Sequence, residues 1–161
     1  PILQEHILDT LEMAVISCEI MNRAGLKAPV RAQIRNEIWV KLWGNLCFNP
    51  ISALTLSTLD IIATDPGTQA VARSMMLEAQ AIGQKLGVRF GVAIERRIAG
   101  AVAVGAHKTS MLQDLEKGRP LEIDAVLTVV QEMGQLVEIA TPTIDVILSL
   151  IQQWSRVAGL Y

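Results

Sequence analysis

The sequence predicts an all-α, multi-helix domain, and three observations carry that prediction. Half of the 161 residues are apolar (51%) while aromatics make up only 4%. The apolar load therefore falls on Ala, Ile, Leu, Val and Met, which suits closely packed helices better than a β-sandwich. Apolar positions recur at helical rather than alternating spacing. Glycines and prolines stand where helices of ordinary length would start and stop.

The elements follow in order. From Ile7 to Ala24, the residues Ile7, Leu11, Val15, Cys18 and Met21 trace a helical stripe that Gly25 closes. Leu26 to Val30 contains Pro29 and is expected as a short extended strand, because a residue before proline avoids the helical region. A helix leading into a short strand fits the tail of a nucleotide-binding α/β domain, so a boundary is placed between residues 31 and 32. A second helix is expected from Ile34 to Phe48, with Pro50 kinking or ending it, and a further stretch from Ile51 to Thr58. Asp65-Pro66-Gly67 reads as a cap followed by proline in the first turn, opening a helix to Leu86 that Gly87 closes. Phe90 to Val104 is the next, broken by Gly105. A short helix starts at Thr109 or Ser110 and stops near Gly118. Asp124 caps a helix to Ile139, and Thr141-Pro142 begins the last, to Val157.

Composition excludes several classes. A formal net charge of −2 gives no electrostatic reason for a nucleic-acid or anionic-membrane partner. The longest uncharged run, Leu42 to Leu59, approaches the length of a membrane span, but it holds Asn45, Asn49 and Pro50. A buried helix meeting a site explains it better. Cys18 and Cys47 lie in apolar helical patterns and are expected as reduced, unlinked thiols of a cytoplasmic protein. Two histidines without metal-like spacing make no case for a metal site.

Two segments carry chemistry. In KLWGNLCFNP, Lys41, Asn45 and Asn49 stand at i, i+4 and i+8, which aligns an ammonium and two amides along one helix face. Asparagines are poor helix formers and need partners when buried, so interhelical hydrogen bonding is their plain structural reading. In HKTSMLQDLEKGRPLEID, Ser110 and Gln113 have the form of a capping box, which alone would account for both. A helix start is also a place for an anion. Glu122 follows the Arg119-Pro120 turn, where surface charge is the ordinary reading. Gln113 and Asp114 read as structural, Asp124 as a cap, and Arg96-Arg97 as a solvated face or a pair turned toward a cofactor phosphate. His107 and Lys108 lie near the same segment without a definite role.

Together, the two segments resemble the C-terminal substrate domain of the ketopantoate reductase (2-dehydropantoate 2-reductase) family, in motif order and internal spacing. The resemblance implies a helical domain like the C-terminal one of 6-phosphogluconate dehydrogenase, covering residues 32–161. It implies Lys41 as catalytic acid, Glu122 beside that lysine and the substrate hydroxyl, and Asn45, Asn49 and Ser110 lining the substrate pocket, with Ser110 at the carboxylate end. Hydride reduction of a ketone leaves charge on its oxygen, which an ammonium stabilises and protonates. Partial burial would lower the pKa of Lys41 toward a useful range. The implied reaction is NADP-dependent reduction of 2-dehydropantoate to pantoate, on the route to pantothenate and coenzyme A, or of another branched 2-oxo acid. A homodimer is the expected assembly.

No G-x-G-x-x-G fingerprint occurs in the 161 residues, so no glycine turn can bring backbone amides to a pyrophosphate. NADP is therefore expected to bind mainly through a preceding Rossmann domain, residues 1–31 being its tail and the rest either cut away or lying beyond these residues. The competing expectation, from a different class, is a non-catalytic helical oligomerisation or interaction module.

Overall fold

The computed structural model describes the backbone of residues 2–161 and the side chains of residues 12–161. Among them all regular structure is helical. The chain divides into two compact units, Pro1–Ile34 and Arg35–Tyr161.

The first unit is the helix α1 (Ile2–Arg23) and the turn after it. Gly25 takes φ +83°, and the Gly25 and Leu26 amides donate to the carbonyls of Asn22 and Met21, closing the helix end. Val15 and Met21 of the expected stripe are exposed and Cys18 is half-buried; Ile7 and Leu11 lie outside the described side chains. The strand expected over Leu26–Val30 does not form. A strand needs a neighbour to share its backbone groups, and here the Asn22 side chain takes them instead. Its Nδ2 donates to the carbonyls of Cys18 and Ala28 (both 2.8 Å), while its Oδ1 accepts from the Ala28 amide (3.0 Å).

The second unit is built from α2 (Ile34–Thr55, all but its first residue), α3 (Leu59–Thr64), α4 (Pro66–Lys85), α5 (Ile94–Val104), α6 (Ser110–Glu116), α7 (Val129–Leu136) and α8 (Pro142–Ala158). A wide π-type turn, Asp124–Thr128, leads into α7. Pro50 does not end α2. The helix runs through it because nearly every residue from Trp43 to Ala53 is buried, so packing outweighs the one lost hydrogen bond. The expected helix over Ile51–Thr58 is thus the end of α2, and α3 is an element that the pattern did not reveal. Phe90 precedes α5 instead of starting it, and its ring packs on Trp43 with centroids 4.8 Å apart.

α4 is the hub. It packs on α3, α5, α7 and α8, and its Met75, Met76, Ala79 and Ile82 are fully buried. The Trp43 indole donates to the Met76 carbonyl at 2.7 Å, tying α2 to α4 deep in the core. Two glycines permit close approaches within this core. A Cβ at Gly83 would meet the Phe90 ring at 2.8 Å, and one at Gly134 would meet the Ile139 carbonyl at 3.0 Å. Asp65 caps α4 as expected, accepting from the Thr68 amide at 2.8 Å. Glu78 caps a different helix from its own: both carboxylate oxygens accept first-turn amides of α8, from Thr143 (2.9 Å) and Ile144 (3.0 Å). Among the described residues no helix is long and apolar enough to cross a membrane.

Candidate active site

One wall of a cavity of about 500 Å³ is the α2 face carrying Lys41, Gly44, Asn45, Phe48 and Asn49. Opposite stand Arg97, Gly100, Ala101 and Val104 of α5, and the floor and rim come from Leu59, His107, Thr109, Ser110 and Glu122. All five residues singled out from the sequence, Lys41, Asn45, Asn49, Ser110 and Glu122, line this one cavity.

The helical spacing explains the first three. Residues 41, 45 and 49 advance along one face, and burial deepens in that direction from exposed Lys41 through half-buried Asn45 to buried Asn49. Lys41 is thus exposed where partial burial was expected. Asn49 Nδ2 donates to Ser110 Oγ at 3.4 Å, which joins the two chemical segments across the cavity.

Ser110 reaches that position because it is not the cap. Thr109 caps α6, its Oγ1 accepting from the Leu112 amide at 3.2 Å and its carbonyl from the Gln113 amide. Ser110 is the first helical residue, with its hydroxyl turned outward to Asn49. The cap thus stands one residue earlier than read, and no capping box forms, because the third helical residue after Thr109 is Leu112. Gln113 instead reaches back to the Lys108 carbonyl (2.9 Å), which supports its structural reading. Lys108 is engaged by Glu116 at 2.6 Å, while His107 lines the cavity.

Glu122 is held by its neighbours. Leu121 and Ile123 are buried on either side, while Glu122 between them is exposed and lines the cavity. The Leu121 amide donates to the Leu160 carbonyl (2.9 Å) and the Ile123 amide to that of Leu121 (2.8 Å). Asp124 is not a helix cap, because Ile123 before it is already helical. Asp124 Oδ1 accepts from Thr128 Oγ1 (2.7 Å) and from the Tyr161 hydroxyl (2.9 Å). These hydrogen bonds, Thr128 first and then Tyr161, hold its carboxyl below the usual aspartate range.

The arginine pair splits. Arg96 is exposed, as a solvated face requires, but Arg97 turns into the cavity wall. Its guanidinium fills the space that a side chain at Gly44 would occupy, since a Cβ there would overlap Nη2. Arg97 Nε is buried without a hydrogen-bond partner. The sequence held one signal for this: a glycine in the middle of a buried helix, which costs about 1 kcal/mol relative to alanine and calls for a packing reason.

Cys47 lies one residue beyond the cavity face and is fully buried. Burial pushes its thiol well above the ordinary range, a smaller opposing pull coming from Arg97. Both cysteines are free. Among the described residues no cluster of His, Cys, Asp and Glu could hold a metal ion.

The family model of the ketopantoate reductase PanE/ApbA C terminal matches residues 33–155, most of the chain and the whole of this cavity. The chain belongs to that family. A 2-dehydropantoate 2-reductase of Mesorhizobium japonicum is 62% identical over 150 residues, covering 93% of this chain and 46% of that protein. One from Archaeoglobus fulgidus is 29% identical over 76% of this chain and 41% of its own. Among solved structures, a ketopantoate reductase-family protein of Ralstonia solanacearum MolK2 superposes with a TM-score of 0.86 at 41% identity, over 91% of this chain and 44% of its own. The 2-dehydropantoate 2-reductase of Methylococcus capsulatus does so with a TM-score of 0.82 at 27% identity, over 91% of this chain and 51% of its own. The chain thus spans about half the length of the ketopantoate reductases it matches.

Proposed function

We propose that this chain is the substrate-binding and catalytic domain of an NADP-dependent ketopantoate reductase, reducing 2-dehydropantoate to pantoate in the cytoplasm. The observation that carries the reading is the cavity that gathers Lys41, Asn45, Asn49, Ser110 and Glu122. Of these, only Asn49 and Ser110 bond to each other; among the described residues, Lys41, Asn45 and Glu122 have no hydrogen-bond or ion-pair partner. Polar groups that converge on a cavity without satisfying one another suit a polar ligand.

In this reading the Lys41 ammonium faces the ketone oxygen, stabilises the charge that grows there and delivers the proton. Glu122 sits at the same cavity and orients the lysine and the substrate hydroxyl. Asn45 and Asn49 fix the substrate along the α2 face, and Ser110 adds a hydroxyl at its carboxylate end. When bound, NADPH supplies the hydride to the carbonyl carbon. The residues of this chain offer no glycine loop for its phosphates, so the dinucleotide is assigned mainly to residues outside the chain. Residues 1–31 are read as the tail of that nucleotide-binding domain and 32–161 as the substrate domain. The exposed Met13, Ile16 and Ile20 of α1, at helical spacing, suit a helix whose covering layer lies elsewhere. A homodimer is proposed by analogy with the dimeric ketopantoate reductase of Staphylococcus aureus, 26% identical with a TM-score of 0.69.

The test is turnover of NADPH by the full-length protein against a panel of branched 2-oxo acids. Preferred reduction of 2-dehydropantoate supports the reading. Activity on another 2-oxo acid alone would replace the substrate, and no activity on any would overturn it.

A further inference from the structure

Resting on the 2-oxo acid reading, the geometry points to Arg97 as the charge partner of the substrate carboxylate and hence a specificity-determining residue of this cavity. A 2-oxo acid brings a full negative charge one bond away from its ketone. Lys41 is needed at the ketone oxygen, and Ser110, which already accepts from Asn49, is a neutral hydroxyl that leaves that charge uncompensated. Arg97 is the second cation lining the same cavity. Its guanidinium lies over Gly44, three residues and hence one helical turn from Lys41 on α2. The two cations therefore serve the same cavity from neighbouring turns of the α2 face, one available to the ketone oxygen and the other to the carboxylate beside it.

The guanidinium is also prepared for this task. No hydrogen bond or ion pair engages it among the described residues, and Nε is buried without a partner. The planar fork of an arginine accommodates a carboxylate through two parallel hydrogen bonds, whereas a lysine offers a point charge. The notch at Gly44 fixes the fork against α2, so little side-chain freedom is lost when an anion arrives. A pyrophosphate is the less suitable occupant. In a nicotinamide dinucleotide a ribose separates the phosphates from the ring that reacts at the ketone, and Arg97 is placed beside the residue that serves the ketone.

The test uses the full-length protein, with 2-dehydropantoate and 3-methyl-2-oxobutanoate as acid probes and 3-methyl-2-oxobutanamide as the neutral one. Calorimetry and steady-state kinetics are both read, with NADPH affinity measured in parallel. Arg97→Gln is expected to weaken acid binding and raise KM for the acids by at least tenfold, to change kcat less, and to leave amide binding within about twofold. Arg97→Lys should recover part of the loss. Gly44→Ala, which displaces the guanidinium, should reproduce the acid-selective loss in the wild-type background and add little to Arg97→Gln. Unchanged discrimination between acid and amide in Arg97→Gln overturns the proposal, as does a loss confined to NADPH affinity. If the wild type binds acids in an Arg97-dependent way yet reduces none of them, the reductase reading fails while the carboxylate site stands.

Discussion

At the scale of single residues, Lys41 and Cys47 show how position on one helix sets chemistry. Lys41 is exposed at the cavity, where an ammonium can reach a ligand, whereas six residues on Cys47 is sealed in the core. Replacing Lys41 with Ala in the full-length enzyme is expected to lower kcat by about 10² to 10⁴, the usual scale for a general acid, with little change in NADPH affinity. Steady-state kinetics on the variant check this, and a kcat within a few-fold of wild type would remove Lys41 from the role. The Cys47 thiol has its pKa raised by burial, so near neutral pH it carries less thiolate than an ordinary cysteine. Half-buried Cys18 should react with a maleimide well before Cys47, which should label only after denaturation. Peptide mapping of the labelled protein distinguishes the two.

Elements are fixed by their ends, and here two caps separate structure from function. Thr109 is buried and caps α6, while Ser110 beside it is free to face Asn49. Thr109→Ala should therefore destabilise the protein by about 1 kcal/mol, the common value for a lost cap. Ser110→Ala should leave the melting temperature nearly unchanged and chiefly raise KM. Thermal denaturation together with kinetics on the pair tests the split; a cap-sized stability loss in Ser110→Ala would return the cap to Ser110. The same logic applies to Glu78, whose carboxylate holds two first-turn amides of α8. Glu78→Ala strands both amides and should cost about 1–3 kcal/mol, measurable by urea denaturation. Activity per folded molecule should survive, since Glu78 does not line the cavity.

The whole molecule adds a pH dependence and a division of labour. The Asp124 carboxyl is held below its ordinary range by Thr128 and Tyr161, and Asp65 likewise by the amide and hydroxyl of Thr68. A depressed folded pKa means that the unfolded chain binds protons first. The stability these groups contribute is thus complete above the unfolded aspartate pKa, about 3.9, and is lost as pH falls through the lower folded values. Denaturation curves from pH 6 down to pH 2 should show the fall shrink when Asp124 is changed to Asn. Division of labour predicts that residues 1–161 alone bind NADPH only weakly, because no glycine loop is present to cradle its phosphates. Micromolar affinity by calorimetry would contradict the assignment of the cofactor to another domain.

Sequence alone determined the helical class and most helix ends, because each rests on local physics, whereas the candidate site residues came from the likeness of two motifs to a family. Periodicity sets the face, Asp65 and Pro66 start α4, Gly87 and Gly105 stop their helices, and the i, i+4, i+8 spacing already aligned Lys41 with the two asparagines. What the local pattern misjudged had two causes. Pro50 stays inside α2 because the surrounding core holds that turn, whereas the expected strand is lost to a local contact, Asn22 bonding the backbone of Ala28 six residues on. Only the tertiary structure could bring Ser110 to Asn49, press Glu122 outward between two buried neighbours, and place Arg97 over Gly44. Each of these arrangements depends on which side chain meets which across helices, and no spacing along a single chain encodes that.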